Sequence, residues 1–167
     1  MNEIIEKRRS IRKFQTGKTL TREQLNQLLT AAMLAPSARN GRPWEFIAVT
    51  KRETLNDIAR INPNAGMCAT AAAAIIVVGL PQNEAKFSFF QQDCGAATEN
   101  ILLEAVSMGL GACWCGVYPN EEKTVNFRKL FNIPETKIPI NVISIGYPDD
   151  SPERKGFFEE AKVTYVE

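Results

Sequence analysis

From Phe90 to Met108 the apolar positions Phe90, Cys94, Ala97, Ile101, Leu102, Ala105 and Met108 recur every three or four residues, which predicts a helix of about five turns. Its many alanines permit close approach by another helix or chain. The same period appears earlier in Leu25, Leu28, Leu29, Ala32 and Met33. These follow Thr21 and Gln24, whose spacing is that of a capping box, and Pro36 requires that helix to have ended. "AAAAIIVVGL" is instead apolar at every position, so Ile75 to Gly79 is expected to be a strand covered on both faces and central in its sheet. Phe46 to Thr50 and Asn141 to Ile145 predict further strands and Thr54 to Arg60 a short helix, while Asn120 caps a helix running through Phe131. "AKVTYV", residues 161 to 166, alternates with period two and predicts a terminal strand needing a sheet edge, its own chain's or a partner's. Strands and helices alternate along the chain, with no internal repeat, low-complexity tract or linker.

Composition narrows this picture. A length of 167 residues with 44% hydrophobic content fits one domain over residues 1–167. Twenty basic residues against nineteen acidic leave a net charge of +1, so any anion site must be local and no nucleic-acid partner is expected. No apolar run approaches the roughly 18 residues that span a bilayer, and residues 1 to 15 are charged, so the expectation is a soluble cytoplasmic protein. Cys68, Cys94, Cys113 and Cys115 have no framework or metal-site spacing and are expected to be reduced thiols packed as small hydrophobes. The chain has no histidine, which removes His-containing triads, His-ligated zinc and imidazole shuttles together. Its chemistry is then expected to belong to a cofactor.

The local anion site has one candidate. In "SIRKFQTGKTL", Gly17-Lys18-Thr19 is not a nucleotide-triphosphate loop, because that motif needs a glycine at position 12, which is Arg12. The triplet reads as a solvated turn before the Thr21 cap. Arg8, Arg9, Ser10 and Arg12 remain: three guanidiniums and a hydroxyl within five positions, able to offer charge and directed donors to a monophosphate, or else a solvated basic face.

"RRSIRKF", "PSARNGRPW", "DCGAATENILLEA", "GLGACWCG" and "SIGYP", in this order from Arg8 to about Lys155, resemble the FMN-dependent nitroreductase family. The resemblance implies an α+β fold, a three-layer α/β/α sandwich with a central mixed sheet, in an intertwined homodimer holding FMN between the subunits. It implies that Arg8, Arg9 and Ser10 hold the FMN phosphate, with Arg12 near flavin N1 and O2, where a cation stabilises the reduced ring. Pro36, Ser37, Ala38 and Asn40 would reach FMN from the other subunit, Pro43 and Trp44 being packing residues. Trp114, Cys115 and Gly116 would lie along the ring, with a backbone N–H toward N5 and Gly116 allowing close approach. Arg154 and Lys155 would complete the phosphate site.

Three departures stand out. Arg42 occupies a position where glutamine is common in the family, and residues 62 to 70 offer no match for the central FMN contacts some members carry. The short stretch between Leu80 and Phe90 leaves no room for the lid of larger members, which implies an open flavin face. The implied function is ping-pong two-electron transfer from NADH or NADPH through flavin N5 to a nitroaromatic, quinone or similar small acceptor, with no side chain acting as catalytic acid, base or nucleophile. Rivals are ene reduction or reductive dehalogenation on the same scaffold, and non-catalytic flavin storage.

Overall fold

The computed structural model of the chain describes residues 1–81, 89–153 and 156–167. Three helices begin where a side chain accepts from an otherwise unpaired amide. Asn2 Oδ1 accepts from the Ile4 amide at 2.9 Å to start α1, Glu3–Lys7. Ahead of α2, Arg22–Met33, Thr21 Oγ1 accepts from the Gln24 amide and Gln24 Oε1 from the Thr21 amide, the reciprocal pair that the sequence predicts. Asn120 Oδ1 accepts from the Lys123 amide at 2.9 Å to start α5, Glu121–Phe131. The other helices are α3, Arg52–Ile61, and α4, Phe90–Ser107.

Strands β1 (Trp44–Val49), β2 (Ala73–Gly79), β3 (Gly111–Gly116) and β4 (Ile138–Gly146) form a sheet of order β1-β2-β4-β3. Every strand pair is antiparallel, with Ile75 opposite Ile143 and Trp114 also opposite Ile143 across β4's other edge. The mixed sheet implied by the resemblance is therefore antiparallel in its strands, and the parallel pairing described is a bridge from Ser10 to Ala112.

Alternation along the inner strands splits the core in two. Ile75, Val77, Ile143 and Ile145 face α2 and α4, where they meet Leu28, Ile101 and Ala105. Ile76, Val78 and Val142 face α3 and α5, against Leu55, Ile58 and Phe127. This is the expected α/β/α layering, and it explains the unbroken apolar run of β2, whose residues are all buried because both faces are covered.

Two expectations are corrected. Met33 is half-exposed, because it falls in the last turn of α2, off the stripe carried by Leu25, Leu28 and Ala32. Residues 161 to 166 form no strand: Glu160–Lys162 is a single 3₁₀ turn, and the chain beyond it is exposed. Within one chain the segment pairs with no edge, and Phe157, Phe158, Tyr165 and Val166 bury little of their surface. Period-two alternation stabilises a strand only when a partner covers one of its faces.

Candidate functional site

Ser10 and Arg12 lie on an extended strap, residues 10 to 15, that follows Arg8 and Arg9 and is clamped at both ends. At one end Ser10 bridges to Ala112 on β3, and the Ile11 amide donates to Ala112 O at 3.0 Å. At the other, Phe14 bridges to Pro148 and the Gln15 amide donates to Tyr147 O at 2.9 Å. Gly111 and Gly146 admit the strap: a Cβ at Gly111 would meet three Ile11 side-chain atoms at 2.8 Å, and one at Gly146 would meet the Phe14 ring at 2.9 Å. Ile11 and Phe14 are buried with Ala71 beneath the strap.

So held, Arg8, Arg9, Ser10 and Arg12 line one cleft of about 400 Å³, shared with Pro152 and Glu153. Arg9 turns inward: its Nη1 donates to Glu6 O and Arg8 O, each at 2.7 Å, and its buried Nε has no protein acceptor. Arg8 Nε is 3.6 Å from Glu99 Oε1 on α4, a loose and solvent-screened pair that leaves Arg8 available to an anion. Arg12 Nη1 donates to Ser10 O at 3.3 Å. Arg154 and Lys155 lie outside the described residues.

β3 carries the remaining residues of this chain's half of the implied site. Trp114 points to the α4 side and is 42% exposed, its Cη2 lying over Gly95, where the helix has no side chain. Cys113 and Cys115 point to the opposite face and are buried. A Cβ at Gly116 would meet nothing within 4 Å, so the surface there is open to a flat ligand. The Gly116 carbonyl accepts from Asn62 Nδ2 at 3.3 Å, which ties the strand end to the turn before Pro63.

The thiols behave differently from one another. Burial pushes Cys68 up to about 12. Cys115 donates toward Cys113, which stabilises a Cys113 thiolate and, with the Arg12 and Arg8 guanidiniums and the Ser10 hydroxyl nearby, brings Cys113 down to about 7; Cys115 is raised in turn. The cysteines are free and buried, as expected.

The second predicted loop is placed apart from the arginine cleft in this chain. Pro36, Ser37 and Ala38 line a separate depression with Gln92 and Ala96. Asn40 is exposed, and its Oδ1 accepts from Arg42 Nε at 3.3 Å. Arg39, Asn40 and Arg42 all adopt positive φ, between 48° and 55°, an unusual concentration for side chains other than glycine. The Arg42 amide donates to Ser37 Oγ at 3.0 Å, which helps to hold that conformation. Pro43 and Trp44 are buried, in keeping with a packing role.

Asn62, Gly111 and Arg52 escaped the sequence reading. Arg52 donates to Cys68 O, Ala69 O and Ala71 O, the last two at 2.7 Å, and so fixes the 3₁₀ segment Pro63–Ala69 behind β3. No local pattern marks an arginine whose acceptors lie 16 to 19 residues away.

A helix-covered antiparallel sheet with a guanidinium-lined cleft beside its β3 edge defines an α+β protein equipped to hold an anionic cofactor. The chain belongs to the nitroreductase family: the model of that family matches residues 5–74 and 62–147. It is 44% identical to a candidate NADH dehydrogenase/NAD(P)H nitroreductase of Methanothermobacter thermautotrophicus, over 96% of this chain and 84% of that protein. It is 30% identical to an NADPH-flavin oxidoreductase of Vibrio harveyi, over 93% of this chain and 70% of the other. A solved FMN-dependent nitroreductase from Clostridium difficile R20291 superposes with a TM-score of 0.89 at 29% identity, covering 100% of this chain and 99% of that one.

Proposed function

We propose that the protein is an FMN-dependent NAD(P)H oxidoreductase that transfers two electrons, by ping-pong alternation, to a nitroaromatic, quinone or related small acceptor. The observation that carries this reading is the cleft in which Arg8, Arg9, Ser10 and Arg12 converge. The residues present fit FMN. A monophosphate matches the cluster's charge and donor geometry, Arg9 Nε is a buried donor without a protein acceptor, and the open surface at Gly116 suits a flat ring. The names of the relatives support both the flavin and the nicotinamide donor.

When bound, FMN supplies a two-electron relay that accepts hydride from the nicotinamide and passes electrons on to the acceptor. The chain's own residues position and tune it. Arg8 and Ser10 bind the phosphate, and Arg9 braces the turn through Glu6 O and Arg8 O. Arg12, in the same cleft, would place a positive charge near the flavin ring and so favour its reduction. Trp114, half-exposed on β3, and the Cys115 and Gly116 backbone would lie along the flavin ring.

Pro36, Ser37, Ala38 and Asn40 act in the site of a second subunit, and the exposed arm around Phe157 to Val166 is covered in that homodimer. Such an interface exceeds roughly 2,000 Å² in total. The whole chain forms one domain, and the enzyme works in the cytoplasm; among the described residues no helix is long and apolar enough to cross a membrane.

The absorbance spectrum of the freshly purified protein tests the cofactor, and stopped-flow mixing with NADH and NADPH tests the reaction. Bleaching of a flavin spectrum by either donor, then recovery on adding a quinone, is expected. A colourless protein that ignores added FMN overturns the reading, and a bound flavin that stays oxidised with both donors leaves only a storage role. Sedimentation of a stable FMN-loaded monomer removes the dimer.

A further inference from the structure

The sulfur atoms behind β3 form a cluster that the flavin chemistry does not use. Cys113 and Cys115 are two residues apart on one strand and present their thiols to the same face, with Sγ atoms 4.0 Å apart. The Met67 thioether, on the 3₁₀ segment that Arg52 fixes, lies 3.9 Å from Cys115 Sγ. Cys115 Sγ also lies 3.1 Å from Asn64 O and 3.9 Å from Cys113 O, and Cys113 Sγ lies 3.9 Å from Trp114 O.

Closure into a disulfide is unfavourable here. The sulfur separation is about twice the 2.03–2.05 Å of an S–S bond, and residues two apart on an extended strand stand roughly 6.8 Å apart at Cα, the outer limit for a bridge. A metal ion is another matter. With metal–sulfur bonds of about 2.3 Å, sulfurs 4.0 Å apart subtend roughly 120° at the ion, the angle of a trigonal site. Zinc takes four ligands in its structural sites, and among the described residues no three His, Cys, Asp or Glu side chains converge. Two thiolates and a thioether are instead the soft donor set that selects monovalent copper.

We infer that Cys113, Cys115 and Met67 form a site for a soft monovalent cation, Cu(I), behind the β3 strand. Binding takes Cu⁺ and two thiols to a bis-thiolate complex of charge −1 and releases two protons, with no change in oxidation state. Arg12, on the strap above, offsets the negative charge. Met67 is only partly buried, so the ion enters past it. The ligand sulfurs face the α3 and α5 side of the sheet, opposite Trp114, so the site does not depend on the flavin reading.

The test is anaerobic competition of the full-length protein as purified, with its FMN bound, against the Cu(I) chelate of bicinchoninate. The wild-type chain is expected to withdraw one equivalent of copper and develop a thiolate-to-metal charge-transfer band in the near ultraviolet. Cys113→Ser and Cys115→Ser should each lose that equivalent. Met67→Leu, which keeps the side chain's size and so folds, should lower the affinity about tenfold or more. Cys94→Ser, altered on the opposite face of the sheet, should bind as wild type. A chelate that keeps its copper, or a stoichiometry unmoved in Cys113→Ser together with an affinity unmoved in Met67→Leu, overturns the site. Loss of binding in a folded Cys94→Ser variant does so as well.

Discussion

Gly111→Ala is the sharpest probe of how the fold positions the arginine cleft. The new Cβ would lie 2.8 Å from Cβ, Cγ1 and Cγ2 of Ile11, whereas carbon atoms pack best at about 3.5–4.0 Å, so the strap must yield by roughly 0.7 Å or more. It cannot slide freely. The Ile11 amide is bonded to Ala112 O beside the substitution, and Phe14 and Gln15 are anchored after β4. The strain therefore lifts the segment that carries Ser10 and Arg12. Overpacking of this kind costs about 1–3 kcal/mol. Ile11→Ala alone removes buried apolar atoms and costs about 2–5 kcal/mol. In the double variant, two of the three obstructing atoms are gone, so the combined loss should fall short of the sum by about 0.5–3 kcal/mol. Urea denaturation of the four proteins measures that coupling, and fluorescence titration with FMN should show weakened binding in Gly111→Ala. Gly66→Ala is the control, since a Cβ there meets nothing within 4 Å. Additive losses, or unchanged FMN affinity in Gly111→Ala, would refute the view that Ile11 seated on Gly111 sets the position of the phosphate residues.

Arg8→Ala should weaken FMN retention while leaving the urea midpoint almost unchanged, since its exposed pair with Glu99 contributes about 0–1 kcal/mol; equal flavin affinity would remove Arg8 from the site. Trp114 is half-exposed and the other tryptophan, Trp44, is buried, so FMN should quench the red-shifted part of the emission, and Trp114→Phe should abolish that quenching; quenching that survives would place the ring elsewhere. For the metal-free protein, Cys113 at about 7 lies below its ordinary value of 9.0, so the folded chain holds fewer protons than the unfolded one between these values. Stability should then rise from pH 7 to pH 9 and lose that contribution as pH falls through 7. Above 9, Cys68, held at about 12, keeps a proton that the unfolded chain releases, so stability should decline. Urea midpoints across this range test both limbs, and a rise from pH 7 to 9 that persists in Cys113→Ser would refute the assignment.

Much of the fold was legible because its causes are local. The Thr21–Gln24 box and the Asn120 cap are contacts over three residues, and the apolar period of α4 and the unbroken run of β2 record directly which faces are covered. Boundaries moved by a few residues, as with β1, which starts at Trp44, because pairing with Gly79 extends the ladder beyond the apolar run. Where the cause is distant, the pattern is silent. Nothing in "GLGACWCG" says that Gly111 is small because Ile11, a hundred residues earlier, lies against it. Nothing in Arg52 announces the carbonyls at Cys68, Ala69 and Ala71.

The site divides along the same line. Arg8, Arg9, Ser10 and Arg12 could be grouped from sequence because they are adjacent, and the structure keeps them in one cleft. That they stand beside β3 depends on the Ser10–Ala112 bridge, which joins segments with no shared pattern. The arm at residues 161 to 166 is the converse case. Its alternation is a local signal, yet it forms no strand in the single chain and leaves Tyr165 and Val166 in water. A strand pattern does not record whether an edge is met, or whose edge it would be. Removing residues 157–167 should therefore leave the urea midpoint of the isolated chain nearly unmoved, because those side chains bury little there, while abolishing self-association. A truncated chain that still sediments as a dimer would show that the arm's partner lies elsewhere.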